Sequence, residues 1–271
     1  MNLSSSTKRK YEILVKTHKN RNINDPIKLY KDLLNEGYKI GSALNILSAI
    51  LWNIKNTENN KELEGLYSKV ISTQKKTEVK KEYNNIKTFE EYKNILEEYK
   101  NKKIKKSRVR YKYYVIGSLY IYQKPRRIKD YSEMNYIKER KEILDNEKNY
   151  YISTEGKFIF NKFKTEKTLG QQEYKVMQEL KLILDEYIKR EEIESGSSIF
   201  NVGSDRFNNS LKKVFGKDVT VNTLRHAFIN KIYGILNLTK EDMEEIAKEM
   251  GQSSIGAHLS YITKKTNKMQ V

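Results

Sequence analysis

Only one part of this chain carries the near-alternation of apolar and polar residues that a β-strand on a half-buried sheet requires. Residues 150–153 and 157–163 alternate, or nearly so, on either side of Glu155-Gly156, a hairpin turn signal. Residues 172–176 could add a third strand. Elsewhere apolar residues recur at intervals of three and four, the period of a helix. Ile27, Tyr30, Leu33 and Leu34 form one stripe, with Gly37 placed to cap it. Leu44, Leu47, Ile50, Leu51 and Ile54 form another, with the sole tryptophan, Trp52, beside them. The longest apolar run, residues 113–122, reads as a buried helix. Further helices are expected over residues 177–189, 207–215, 221–236 and 239–250. Thr88 with Glu91 spells a capping box, Thr239 with Asp242 gives another capping signal, and Gly251 closes the last of these helices. The expected class is therefore mainly α with a small antiparallel sheet (α+β).

At roughly 150 residues per domain, 271 residues suggest two domains. Residues 73–87 are rich in charge and poor in apolar side chains, so the expected linker lies there, between a helical domain of residues 1–72 and a second domain of residues 88–271. No internal repeat is present.

Composition removes several classes of function. There are no cysteines, which excludes a disulfide scaffold, a thiolate metal site and a cysteine nucleophile. The three histidines, His18, His226 and His258, are not spaced as zinc ligands, and His18 is expected to face solvent. No run of about 18 apolar residues is present, and the N-terminal residues lack the apolar stretch of a signal peptide, so an intracellular chain with no membrane partner is expected. Aromatic residues at 11%, including 20 tyrosines, argue against disorder. The net charge of +18 fits an anionic partner, nucleic acid above all. An AT-rich genome would also enrich lysine. The cluster Lys102, Lys103, Lys105, Lys106, Arg108 and Arg110 is either a solvated helix end or a surface for backbone phosphates.

Four stretches stand out in order: Lys124-Pro125-Arg126-Arg127-Ile128-Lys129-Asp130-Tyr131; Asn161-Lys162-Phe163-Lys164-Thr165; Thr223-Leu224-Arg225-His226-Ala227-Phe228; and Met250-Gly251-Gln252-Ser253-Ser254-Ile255, with Tyr261 nine residues beyond Gln252. Together they resemble the tyrosine recombinase, or phage integrase, family, whose catalytic fold is shared with type IB topoisomerases. The resemblance runs from Thr88 to the end of the chain, and the N-terminal block looks like the helical core-binding, DNA-clamping domain of those enzymes. The wording around the first box is closest to integrase-like proteins of large DNA viruses and mobile elements.

The resemblance implies a site-specific DNA recombinase that acts on double-stranded DNA without metal, ATP or other cofactor. Arg127 and Arg225 would grip the scissile phosphate in forked geometry. Tyr261 would attack and leave a 3′-phosphotyrosine joint. Lys164 would protonate the leaving 5′-oxygen, with Lys167 its rival because the hairpin register is open. Arg127 would pair with Asp130, three residues on. Two positions depart from the family. Asn222 stands where a histidine is usual three residues before the second arginine, and Gln252 stands where histidine or tryptophan is usual. Both keep a neutral hydrogen-bond donor but cannot act as an imidazole acid or base. His258 could partly stand in.

Taken singly, each residue has an ordinary reading: Arg127 as one more surface cation, Arg225 as a snorkelling side chain, Lys164 as one of many lysines, Tyr261 as a packed tyrosine. Order and spacing together carry the resemblance. It implies a tetramer assembled on DNA, and a DNA-associated place in the cell that could be nucleus, cytoplasm or virus factory. A type IB topoisomerase and a non-catalytic DNA-binding relic are the alternatives.

Overall fold

The structure is a computed structural model that describes residues 3, 5–57, 60–82, 86–104, 107–143, 145–235, 238–254 and 256, the side chains of 75–82 and 235 excepted. The chain divides into two compact units, residues 1–84 and 85–271.

The first unit is helical. It contains α1 (Ser5–Thr17), α2 (Pro26–Asn35), α3 (Ile40–Thr57) and α4 (Lys61–Glu82). Helix α2 starts where Asp25 accepts from the Ile27 and Lys28 amides and Pro26 takes the first helical position, a site that needs no amide donor. It ends before Gly37, whose φ of +89° few other residues adopt. The stripe Leu44, Leu47, Ile50 and Ile54 of α3 is buried against Leu33 and Tyr67. Ile27 departs from the expected stripe and is exposed, because the capped first turn of α2 turns that position outward. His18 also departs from expectation. It is buried, its Nδ1 accepts from Arg21 Nε at 2.9 Å, and burial followed by the Arg21 charge pushes its pKa down. Arg21 in turn forks onto Glu36 at 2.7 and 2.6 Å, which ties the end of α1 to the end of α2. In the stretch expected as the linker, α4 continues to Glu82, and the two units divide between residues 84 and 85. Lys, Glu and Gln are strong helix formers, and no Gly or Pro interrupts the run.

The second unit packs helices on a small sheet. Its helices are α5 (Phe89–Lys103), α6 (Arg108–Ile121), α7 (Ile128–Ser132), α8 (Glu166–Leu169), α9 (Gln178–Arg190), α10 (Ser204–Phe215), α11 (Val221–Ile235) and α12 (Lys240–Glu249). The capping boxes at Thr88/Glu91 and Thr239/Asp242 are both formed. The run expected to be a buried helix is α6, buried from Tyr114 through Ile121 and packed by α5, α9 and α10. Gly117 lets α5 and α10 close on it: a Cβ there would lie 2.9 Å from Leu96 Cδ1 and 3.3 Å from Phe215 Cζ.

The sheet has four strands in the order β1 (Met134–Ile137), β2 (Asn149–Ile152), β3 (Lys157–Phe160) and β4 (Gln172–Lys175). Strands β2, β3 and β4 are antiparallel, but β1 runs parallel to β2, so the sheet is mixed rather than antiparallel. β1 is too short to show a period. It is held by its register with β2 and by a bridge from Asn135 to Ser198. Both faces of the sheet are covered. Tyr151, Phe158 and Phe160 join the main core, whereas Ile137, Tyr150, Ile152 and Ile159 form a second cluster on the other face. Burying each of the Phe side chains contributes roughly 1.5–3 kcal/mol. At the rim, Arg140 forks onto both Glu155 and Glu173 and fastens the β1–β2 crossover to the hairpin.

Candidate active site

The site forms where three separated stretches meet. After α6 the chain turns through Lys124-Pro125-Arg126-Arg127 and enters α7, with Arg127 as the residue before the helix. Beneath it lies α11. Ile229 of α11, Ile246 of α12 and Met250, which follows α12, share a small apolar cluster, which fixes the end of α12 against α11. The turn after α12 is made by Gly251, at φ +65°, and Gln252 follows with its amide donating to the Ala247 carbonyl at 2.9 Å.

The two candidate arginines converge on that turn. Arg225 Nη1 donates to the Met250 carbonyl at 3.3 Å and to the Pro125 carbonyl at 2.7 Å. Arg127 Nη1 donates to the next carbonyl along, that of Gly251. Thr165 Oγ1 donates to the same oxygen at 3.0 Å, which brings the loop bearing Lys164 to the same place. Gln252 is 2% exposed beside them, and Arg225 is fully buried, while Arg127 is half-buried and Lys164 exposed.

A third arginine supports the other two. Arg126 is buried and donates through Nε to Asp130 Oδ2 at 2.9 Å, and through Nη1 to Gln172 Oε1 at 2.9 Å and the Glu249 carbonyl at 2.7 Å. Its guanidinium lies 3.9 Å from the Phe160 ring centre and 4.8 Å from that of Phe163. Asp130 therefore pairs with Arg126, not with Arg127 as the spacing suggested. Arg127 stands outside α7 in extended backbone, φ −74° and ψ 158°, and reaches instead towards the α12 turn. Burial pushes the Asp130 carboxyl up, while Arg126 first, and then Arg127 and Arg225, pull it down. Three guanidiniums thus share one buried carboxylate, and Glu249 nearby is taken by Lys124. Arg127 and Arg225 thus lie near each other around that carboxylate, and two neighbouring guanidiniums suit a pair of phosphate oxygens.

The remaining sequence candidates are placed as follows. Asn222 is exposed one turn before Arg225 on α11, and Lys167 is exposed on α8. Lys102 and Lys103 end α5, and Arg108 and Arg110 start α6; all four are exposed. They occupy the end of α6 remote from Arg127, about 20 Å away along a 14-residue helix. Lys102 is engaged by Glu98 at 3.0 Å. Tyr261, His258, Lys105 and Lys106 lie outside the described residues. Among the described residues no cluster of three or more His, Asp or Glu is placed to hold a metal ion, and no helix is long and apolar enough to cross a membrane. Arg126, Thr165 and Gln172 carry no local signal as working parts, because the partners that tie them to the site, Asp130 apart, are 46 to 123 residues distant.

No protein-family model matches the sequence, and no curated protein sequence matches it. Among solved structures, the chain is similar to the Tn1549 transposon integrase in complex with a circular intermediate DNA. The TM-score is 0.58 at 13% identity, and the match covers 99% of this chain and 94% of that one. The chain has an integrase-like fold. Helices and mixed sheet alike belong to that α+β architecture. At this identity the likeness speaks for the fold.

Proposed function

We propose that this protein is a DNA strand transferase that cuts and rejoins double-stranded DNA through a 3′-phosphotyrosine intermediate, as a site-specific recombinase or integrase. The observation that carries the reading is the convergence of Arg127 and Arg225 on consecutive carbonyls of one turn, Met250 and Gly251, with Gln252 next in the chain. Residues separated by about a hundred positions would have no reason to meet there in a protein that was merely basic.

In the proposed reaction a scissile phosphate takes the place of those two carbonyls on the guanidiniums. The Tyr261 oxygen attacks phosphorus as its proton passes to solvent water, the bond to the 5′-oxygen breaks, and Lys164 gives that oxygen a proton. Religation runs the same steps backwards, so the phosphodiester energy is kept in the protein–DNA bond. Forked arginines offset the charge that grows on the non-bridging oxygens. Gln252 supports them as a neutral donor, and with Asn222 at the other departing position, proton transfer from Tyr261 proceeds without an imidazole unless His258 supplies one. Since Arg225 is fully buried, its approach to a phosphate requires local opening around the α12 turn. The exposed cluster of Lys102, Lys103, Arg108 and Arg110 tracks backbone phosphates away from the cut. DNA-bound protein assembles as a tetramer, the unit that exchanges strands between two duplexes.

A DNA duplex nicked next to the cut traps the covalent joint, because the short leaving strand diffuses away. The expected result is an adduct that withstands denaturant and is lost in Tyr261→Phe. DNA binding without any adduct would leave only a non-catalytic DNA-binding protein. Relaxation of supercoils without exchange between paired sites would point to a type IB topoisomerase instead.

A further inference from the structure

Asn149 opens strand β2 and is 2% exposed. Its side chain uses every ordinary bonding position. Nδ2 donates to the Asp130 carbonyl at 3.0 Å and to the Lys162 carbonyl at 2.9 Å. Oδ1 accepts from the Asn161 amide at 2.9 Å and the Lys162 amide at 2.8 Å. One amide thus joins α7, which begins directly after Arg127, to the start of the loop that carries Lys164. Downstream, Thr165 fastens that loop to the Gly251 carbonyl, the oxygen that Arg127 also holds. Asn161 is braced separately by the Lys148 carbonyl at 2.7 Å and by Gln171 at 2.6 Å. Lys164 is exposed and sits between these two anchors. A lysine on a free loop would sample many positions, and a general acid works only within hydrogen-bond reach of its oxygen.

We infer that Asn149 is the positioning residue that sets the Lys164 loop against the Arg127 helix, so that proton delivery to the leaving oxygen depends on an amide that touches no DNA. This role rests on the strand-transfer reading above. Asparagine is needed rather than aspartate, because two bonds are donated and two accepted; a carboxylate would face the Asp130 and Lys162 carbonyls with like charge.

The test uses the whole protein on nicked duplexes of two kinds, one with an ordinary 5′-oxygen at the cut and one with sulfur bridging at that position. A thiolate leaves without needing a proton, so a defect in proton delivery disappears on the sulfur substrate, whereas a defect in phosphate gripping or folding does not. Asn149→Ala is expected to slow adduct formation on the oxygen substrate at least about tenfold, part of the ~10²–10⁴ that a placed acid contributes. On the sulfur substrate it should match the wild type. Arg127→Ala should be slow on both. Equal losses on both substrates, or no loss on either, would overturn the positioning role while leaving strand transfer intact. A wild-type protein that forms no adduct with either substrate would overturn strand transfer itself, and the positioning role with it. If Asn149→Ala does not fold, Asn149→Ser, which keeps a donor and an acceptor, takes its place under the same criteria.

Discussion

Gly251→Ala separates a backbone requirement from a packing requirement at the centre of the candidate site. The residue sits at φ +65°, where an L side chain costs about 1–2 kcal/mol. An added Cβ would also meet Arg126 Nη2 at 2.8 Å, Arg126 Cζ at 3.2 Å and Asp130 Oδ2 at 3.4 Å. The far end of an arginine can usually swing aside. This one is pinned by Asp130, Gln172 and the Glu249 carbonyl and lies on Phe160. Breaking such a buried pair outright costs about 3–5 kcal/mol, so partial displacement should add about 2 kcal/mol to the backbone cost. Gly196→Ala is the control, because that glycine has φ +89° in the same unit and nothing within 4 Å of its added Cβ. At roughly 2–4 °C per kcal/mol for a unit of this size, Gly251→Ala should melt about 4–8 °C below Gly196→Ala. Thermal unfolding by circular dichroism reads the difference. Adduct formation should fall as well, because the Gly251 carbonyl holds both Arg127 and Thr165. Coincident melting of the two variants would refute the claim that Arg126 is rigidly held, and with it the account of how the α12 turn is placed.

Three other outcomes follow from the same contacts. Arg126→Met alone and Asp130→Asn alone should each destabilise by about 3–5 kcal/mol, and the pair combined by clearly less than the sum, as read by urea denaturation. The Glu173 carboxyl is held down to about 2 by hydrogen bonds first from Arg140 and then from Lys157. A depressed carboxyl stabilises the fold above its ordinary value of 4.5 and loses that contribution as pH falls towards about 2, so Glu173→Gln should flatten the acid limb of the melting temperature across that window. The effect should be modest, since the group is partly exposed and solvent screens it. Thr239→Ala removes the hydroxyl that accepts from the Asp242 amide and should cost about 1 kcal/mol in chemical denaturation, by loosening the helix that ends at the site.

Much of the architecture could be read from periodicity because these helices carry their own punctuation. Thr88, Thr239, Gly37 and Gly251 mark ends by local chemistry, and the structure uses each of them in that way. The hairpin at Glu155-Gly156 was equally local. Strand β1 was not legible, since four residues cannot show a period and its reason for existing is the register with β2 and the bridge to Ser198. The run 73–87 holds the division between the two units, and α4 enters it as far as Glu82. Sparse apolar residues say that a segment lacks a core of its own, yet its Lys and Glu content favours helix whether or not it is packed. His18 was misplaced because its burial depends on Arg21 and Glu36, which pair across the two helix ends.

The candidate site shows the same division between local pattern and distant partner. Order and spacing singled out Arg127 and Arg225, and the fold brings both to one turn. Spacing also suggested Asp130 as the partner of Arg127, and there it failed, because Arg126 takes that carboxylate. The difference has a chemical consequence. If Asp130 closed on Arg127, that guanidinium would already be neutralised, and under the proposed reaction a phosphate would have to compete with a buried carboxylate. With Arg126 donating to Asp130 Oδ2, that buried carboxylate is paired within its own turn, and Arg127 donates to the neutral Gly251 carbonyl. Exchanging a carbonyl for a phosphate oxygen strengthens the bond to Arg127, because charge-assisted hydrogen bonds are roughly twice as strong as neutral ones. The doubled arginine at 126 and 127 is therefore divided in the fold, the first residue as internal counter-ion to Asp130 and the second reaching the α12 turn, where the proposed reaction needs a cation.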